Sequence, residues 1–120
     1  MDYNTVITKK GRETMDTIKV MLCCGAGISS GLMAQQTRKA AKKQGINMTV
    51  EARSESEVTE YYPYLSILLL GPHYAAQKDD FTKQAEPYGF PVEVIPKDIY
   101  GTLNGAGLLD LILKTLEDKK

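Results

Sequence analysis

The segment Leu65-Ser66-Ile67-Leu68-Leu69-Leu70, closed by Gly71-Pro72, is the most hydrophobic stretch of the chain and limits its folding more than any other. It is far too short for the roughly 18 to 20 apolar residues of a membrane span. It also lacks the apolar–polar alternation of a half-buried strand. A strand covered on both faces reads this way, and such strands belong to parallel sheets flanked by helices. The rest of the chain agrees. Ile18-Lys19-Val20-Met21-Leu22-Cys23 is a short, partly β-branched apolar run ending at glycines, which predicts a first strand. Leu32, Met33, Gln36, Thr37, Ala40 and Ala41 fall at helical spacing across residues 30–44. Arg38, Lys39, Lys42 and Lys43 crowd the end of that helix, where cations complement its dipole, and Gly45 is a natural stop.

Residues 46–52 alternate (Ile46, Met48, Val50, Ala52) and predict a second strand. Ser54 is placed to cap a short acidic helix holding Glu55, Glu57 and Glu60, ended before Pro63. Residues 75–85 predict a weaker helix. Residues 91–95 predict a fourth strand, with Pro91 at its start, where no ladder donor is lost. Leu108, Leu109, Ile112 and Leu116 lie on one face of a closing helix over 108–116, expected to serve the core. Strand and helix thus alternate four times. The expectation is a single-domain α/β fold: a four-stranded parallel open sheet with helices on both faces. That domain spans 18–120, after a polar, mixed-charge N-terminal extension at 1–17 that is expected to be flexible.

The chain has 120 residues, enough to bury roughly two-thirds of the unfolded surface around one core without disulfides or metal. Fifteen basic residues balance fifteen acidic ones, which argues against a generic electrostatic hold on nucleic acid or an anionic membrane. Neither a membrane span nor the hydrophobic core of a signal peptide is visible, so a cytoplasmic address without direct membrane insertion is expected. Cys23 and Cys24 are adjacent, and a bridge between neighbours would staple no loop. With one His in the chain, two adjacent thiols fall short of the about four ligands of a structural metal site. No metal site and no cofactor are expected.

In parallel α/β sheets ligands bind beyond the carboxyl ends of the strands. After the first strand stand Cys24, Gly25, Ala26, Gly27, Ile28, Ser29, Ser30 and Gly31, running straight into a helix. Small residues let several backbone N–H groups face one point, and the helix adds its unpaired first-turn donors and positive dipole end. Together they suit a doubly charged anion such as phosphate, with Ser29 or Ser30 capping the helix or donating to it. The same field lowers the pKa of a thiol at the rim. Cys23 lies within the strand and reads as a small core hydrophobe, so Cys24 is the candidate nucleophile.

Three known loops compete for this stretch. A Walker loop needs a GK[ST] sequence, which is absent. The dinucleotide fingerprint G-x-G-x-x-G is missed by one residue at Gly25, Gly27 and Gly31, although Glu51 stands where a ribose-binding acid would be. A phosphatase loop carries Arg six positions after its Cys; here that position is Ser30. A phosphatase-like loop without the guanidinium is better suited to carrying phosphate than to hydrolysing it. A small cysteine phosphatase and a nucleotide- or phosphate-binding module therefore remain as rival readings.

Cys24-Gly-Ala-Gly27-Ile-Ser29 resembles the C-x-x-G-x-S loop of the enzyme IIB components of the bacterial sugar phosphotransferase system, lactose/cellobiose class. Val50-Glu51-Ala52, Leu68-Leu69-Leu70-Gly71-Pro72, the run from Pro91 to Ile95, Tyr100-Gly101 and Asn104-Gly105 follow in the family's order. The resemblance implies a phosphotransferase relay. A phosphohistidine on a IIA partner passes its phosphoryl group to Cys24, cradled by residues 25–31. From there it goes to a disaccharide of cellobiose, lactose or chitobiose type, bound by the membrane permease IIC. The protein would be cytoplasmic and recruited to the inner face of the membrane by IIC, and sugar choice would reside mostly in the permease. The family commonly has Gln where this chain has His73, an incidental surface residue or a phosphate-edge donor. The basic face of Arg38, Lys39, Lys42 and Lys43 reads as a solvated helix end, or else as a surface for an acidic partner.

Overall fold

The computed structural model describes residues 17–23 and 28–119. Among them lie strands β1 (Ile18–Cys23), β2 (Met48–Arg53), β3 (Ile67–Leu70) and β4 (Val92–Val94). They form one parallel sheet in the order β2-β1-β3-β4. The helices are α1 (Ile28–Lys43), α2 (Glu55–Val58), α3 (Lys78–Ala85), α4 (Lys97–Gly101) and α5 (Gly105–Lys119).

Position in the sheet explains the two kinds of strand sequence. β1 and β3 are internal, and every residue of β3 is fully buried. Along each, successive side chains enter opposite cores. Val20, Leu22, Ile67 and Leu69 meet Met33 and Ala34 of α1 and Leu108 and Ile112 of α5. Met21, Cys23, Leu68 and Leu70 meet Val58, Tyr62, Phe81 and Ala85 on the other face. A buried leucine contributes about 1.5–3 kcal/mol, so β3 can hold both layers only by being apolar throughout. β2 is an edge strand and alternates, with Val50 buried between exposed Thr49 and Glu51. Arg38 of α1 donates to the Val50 carbonyl at 2.6 Å, covering part of that edge. The rest of the basic face, Lys39, Lys42 and Lys43, is exposed as expected of a solvated helix end.

Helix α1 stops at the anticipated place. Gly45 adopts φ +72°, and the Ile46 amide turns back to the Ala41 carbonyl at 2.9 Å. Helices α1 and α5 touch backbone to backbone: a Cβ at Gly105 would run into the Gln36 carbonyl. Because main chain cannot swing aside, Gly105→Ala is expected to cost about 1–3 kcal/mol, read as a lowered denaturation midpoint at unchanged slope.

Several boundaries differ from the sequence expectation. The second strand starts at Met48 and runs to Arg53, and the third starts at Ile67, because the Ser66 hydroxyl accepts from the Lys19 amide and anchors the entry. Ser54 does precede the acidic helix, and its amide meets the Glu57 carboxylate at 3.5 Å. That helix lasts one turn, and Pro63 sits inside a 3-10 segment, Thr59–Tyr64, rather than after it. Pro63 has no N–H to extend an α-helical ladder, so the chain tightens instead. The helix expected over 75–85 is 3-10 over Pro72–Gln77 and α-helical only from Lys78. Helix α4 was not expected, being too short for a periodic pattern. Helix α5 begins three residues earlier than expected, where the Asn104 side chain accepts from the Gly107 amide at 2.9 Å. The extension at 1–17 falls outside the described residues except for Thr17, whose hydroxyl accepts from Asn47 at 3.0 Å. No helix among the described residues is long and apolar enough to cross a membrane.

Candidate functional site at the carboxyl edge of the sheet

With this strand order the connection after β1 runs outward to β2 and the one after β3 runs the opposite way to β4, so the switch point lies between β1 and β3. Hydrogen bonds carry the ladder past the strand ends there. The Gly71 amide donates to the Cys23 carbonyl at 3.0 Å, and the Ile95 amide to the Leu70 carbonyl at 2.8 Å. The turns after β1, β3 and β4 are thereby tied side by side.

Cys23 ends β1 and is completely buried among Met21, Leu70, Tyr62 and their neighbours, as expected of a core thiol. Tyr62 closes this layer with its hydroxyl donating to the Gln84 side-chain oxygen at 2.7 Å. Burial pushes the Tyr62 phenol above its usual pKa, with a further push from Cys23. Cys24, Gly25, Ala26 and Gly27 lie outside the described residues. Ile28, Ser29, Ser30 and Gly31 form the first turn of α1, so four residues separate the last residue of β1 from the first of α1. At Gly31 a Cβ would meet open space, so packing does not require glycine there.

Two open hollows flank this point. One, about 490 Å³, is lined by Ser54, Glu55 and Ser56 beyond β2 and by Tyr74 beyond β3. The other, about 440 Å³, lies beyond β3 and β4, between Pro72 and His73 on one side and Lys97, Tyr100 and Gly101 on the other. The exposed His73 ring stands 5.0 Å from that of Tyr74 and 6.3 Å from that of Tyr100. Lys97 escaped the sequence reading. Its signal was its place, two residues beyond the predicted fourth strand and so at the same sheet end as the glycine loop.

Described guanidiniums are engaged elsewhere. Arg38 reaches Val50, as above. Arg53, level with Cys23 on the neighbouring strand, binds the Glu51 carboxylate at 2.7 Å and its own strand's Ala52 carbonyl at 2.9 Å. It also lies over the Tyr61 ring at 5.4 Å, and the hydrogen bond to the Tyr61 hydroxyl is the main reason its pKa is raised. Glu51 is thus held by a cation, unlike a carboxylate waiting for a ribose. Among the described residues, then, neither arginine supplies a phosphatase clamp.

A family model for the "PTS system, Lactose/Cellobiose specific IIB subunit" matches residues 19–111. The galactose-specific EIIB component of Lactococcus lactis subsp. cremoris is 33% identical over 95 residues, covering 75% of this chain and 88% of its own length. The cellobiose-specific EIIB component of Lactococcus lactis subsp. lactis shows the same identity and coverage. The solution structure of the cellobiose-specific phosphotransferase IIB component from Borrelia burgdorferi superposes with a TM-score of 0.71 at 32% identity. That superposition covers 88% of this chain and 96% of the other.

Proposed function

The chain belongs to the lactose/cellobiose-specific IIB subunits of the phosphotransferase system, and on that premise we propose that it carries a phosphoryl group on Cys24 between a IIA protein and a sugar. Membership makes it a phosphotransferase component. The reading of the residue rests on one observation above others. β1 ends at Cys23 and α1 begins at Ile28, so Cys24-Gly25-Ala26-Gly27 must join a strand's carboxyl end to a helix N-terminus. Helix N-termini stabilise anions through unpaired amides and the dipole, and they favour the thiolate form of a nearby cysteine.

In the first step the Cys24 thiolate attacks the phosphorus of a phosphohistidine on IIA. The S–P bond forms as the N–P bond breaks, and the departing imidazole takes up a proton. In the second, a sugar hydroxyl held by membrane IIC attacks phosphorus and releases its proton to water. The O–P bond forms, the S–P bond breaks, and Cys24 leaves as thiolate. Backbone amides of residues 25–31 hold the charge in both steps, which is nucleophilic catalysis by positioning. The chain would work in the cytoplasm at the inner face of the membrane, on a disaccharide of the cellobiose, lactose or chitobiose type.

Phosphopeptide mass spectrometry tests this, after incubation with phosphoenolpyruvate, the general phosphotransferase proteins and a cognate IIA, at a pH that preserves thiophosphate. One phosphoryl group on the Cys24 side of the Cys23-Cys24 pair is expected. An unlabelled chain beside a fully labelled control IIB would overturn the reading.

A further inference from the structure

Charge is sorted along this chain although its total is zero. Residues 17–50 hold five basic residues and no acidic one, whereas residues 51–118 hold twelve acidic and five basic. The fold turns that order into geometry. The exposed lysines of α1, Lys39, Lys42 and Lys43, belong to the helix layer on one face of the sheet. Glu55, Glu57, Glu60, Asp79 and Asp80 stand on the elements that cover the other face. Among the described residues no carboxylate pairs with any of the three lysines. The helix dipole accounts for Lys42 and Lys43 in the last turn, but Lys39 lies a turn earlier. Its like charge four residues before Lys43 works against the helix rather than for it.

Lys39 and Lys43 also line a hollow of about 340 Å³ between α1 and α5. The rest of its lining, Gln36, Ala40, Gly105 and Ala106, is small or uncharged, and no carboxylate faces into it. One turn of helix sets the two lysines about 6 Å apart along the axis. Carboxylates at i and i+4 of a helix, or at i and i+2 of an extended strand, have nearly the same spacing. We propose that this groove is a docking surface for a carboxylate-rich segment of a partner protein, held by Lys39 and Lys43 with Lys42 adding to the field. A nucleic acid fits it less well. Arg38 is engaged by the Val50 carbonyl, no aromatic side chain lines the hollow to stack a base, and three lysines release few counterions from a phosphate backbone. Exposed ion pairs are weak singly, so recognition comes from several carboxylates at matching spacing and fades as salt screens them. Lys39 and Lys43 lie about 16 and 22 Å along α1 from its first residue, so a partner held here approaches away from the switch point. Nothing in this docking requires the phosphocysteine relay.

The test is an amide-resolved NMR titration of the full-length chain with an eight-residue peptide of alternating Glu and Ala, beside the matching peptide of alternating Gln and Ala. Saturable shifts are expected at Gln36, Lys39, Ala40, Lys43 and Ala106 with the Glu peptide alone. Its affinity should fall about fivefold or more between about 50 and 300 mM salt. The double variant Lys39→Gln, Lys43→Gln should lose the shifts; both positions are exposed, so it is expected to fold. Lys83→Gln, exposed on α3 across the sheet, should bind as wild type does. Equal shifts with the Gln peptide, shifts spread over Lys78, Lys83 and Lys114, or no shifts at all would overturn the proposal. So would tighter binding of an oligothymidylate at the same amides, which would make the groove a nucleic-acid surface. The same shifts appearing without peptide as the chain is concentrated would overturn it too, making the acidic face of a second copy the occupant.

Discussion

Replacing Cys24 by Ser is expected to abolish phosphoryl transfer, whereas replacing Cys23 by Ser should leave the label in place and cost stability. The two thiols are neighbours in sequence, and the proposed relay gives them different roles. Cys23 is completely buried in the layer formed with Tyr62, Leu70 and Phe81, where a thiol behaves as a small hydrophobe. A serine hydroxyl there loses water, at a cost of about 1–3 kcal/mol where no partner compensates. In the proposed relay the Cys24 thiolate is the reacting species, and a serine hydroxyl is a far weaker acid that stays protonated and poorly nucleophilic near neutral pH. Labelling with phosphorylated IIA and a denaturant titration of both variants decide the matter. A label retained in Cys24→Ser and lost in Cys23→Ser would reverse the assignment.

Truncating Leu69 to Ala should remove about 2–5 kcal/mol of stability, the largest structural effect we expect from a single side chain. Leu69 is fully buried on an internal strand, level with Leu22 of β1 and Glu93 of β4, in the layer containing Met33, Ile95, Leu108 and Ile112. Four elements close on that position, so little can collapse into the space the truncation leaves. Against a total of about 5–15 kcal/mol for a domain, the loss is a large fraction. Leu32→Ala is the control: Leu32 on α1 is 39% exposed, and its truncation should stay within about 1 kcal/mol. Urea midpoints that fell equally for the two variants would contradict this assignment of the core.

Much of the fold was legible because burial leaves a mark on sequence. β3 could be recognised as internal since a strand covered on both faces has no polar position, and β2 as different because its exposed positions alternate with Val50. Gly45 and Ser54 were readable for a local reason: a left-handed residue and a helix-capping hydroxyl act within a few residues of chain. Helix α4 and the 3-10 segments were not readable. Five residues of α4 carry no period, and the switch between 3-10 and α geometry near Lys78 turns on fractions of a hydrogen bond.

The glycine loop, its cysteine and the absence of a cation within it follow from the order of residues alone, because a loop joining strand to helix draws its chemistry from contiguous chain. What surrounds the loop was decided by tertiary structure. Nothing local states that β3 pairs beside β1, that the Gly71 amide meets the Cys23 carbonyl, or that Lys97 and His73, 24 positions apart in the numbering, face one hollow. Those relations come from strand order, and strand order is the outcome of burying two apolar faces at once, a property of the assembled sheet that no single segment contains.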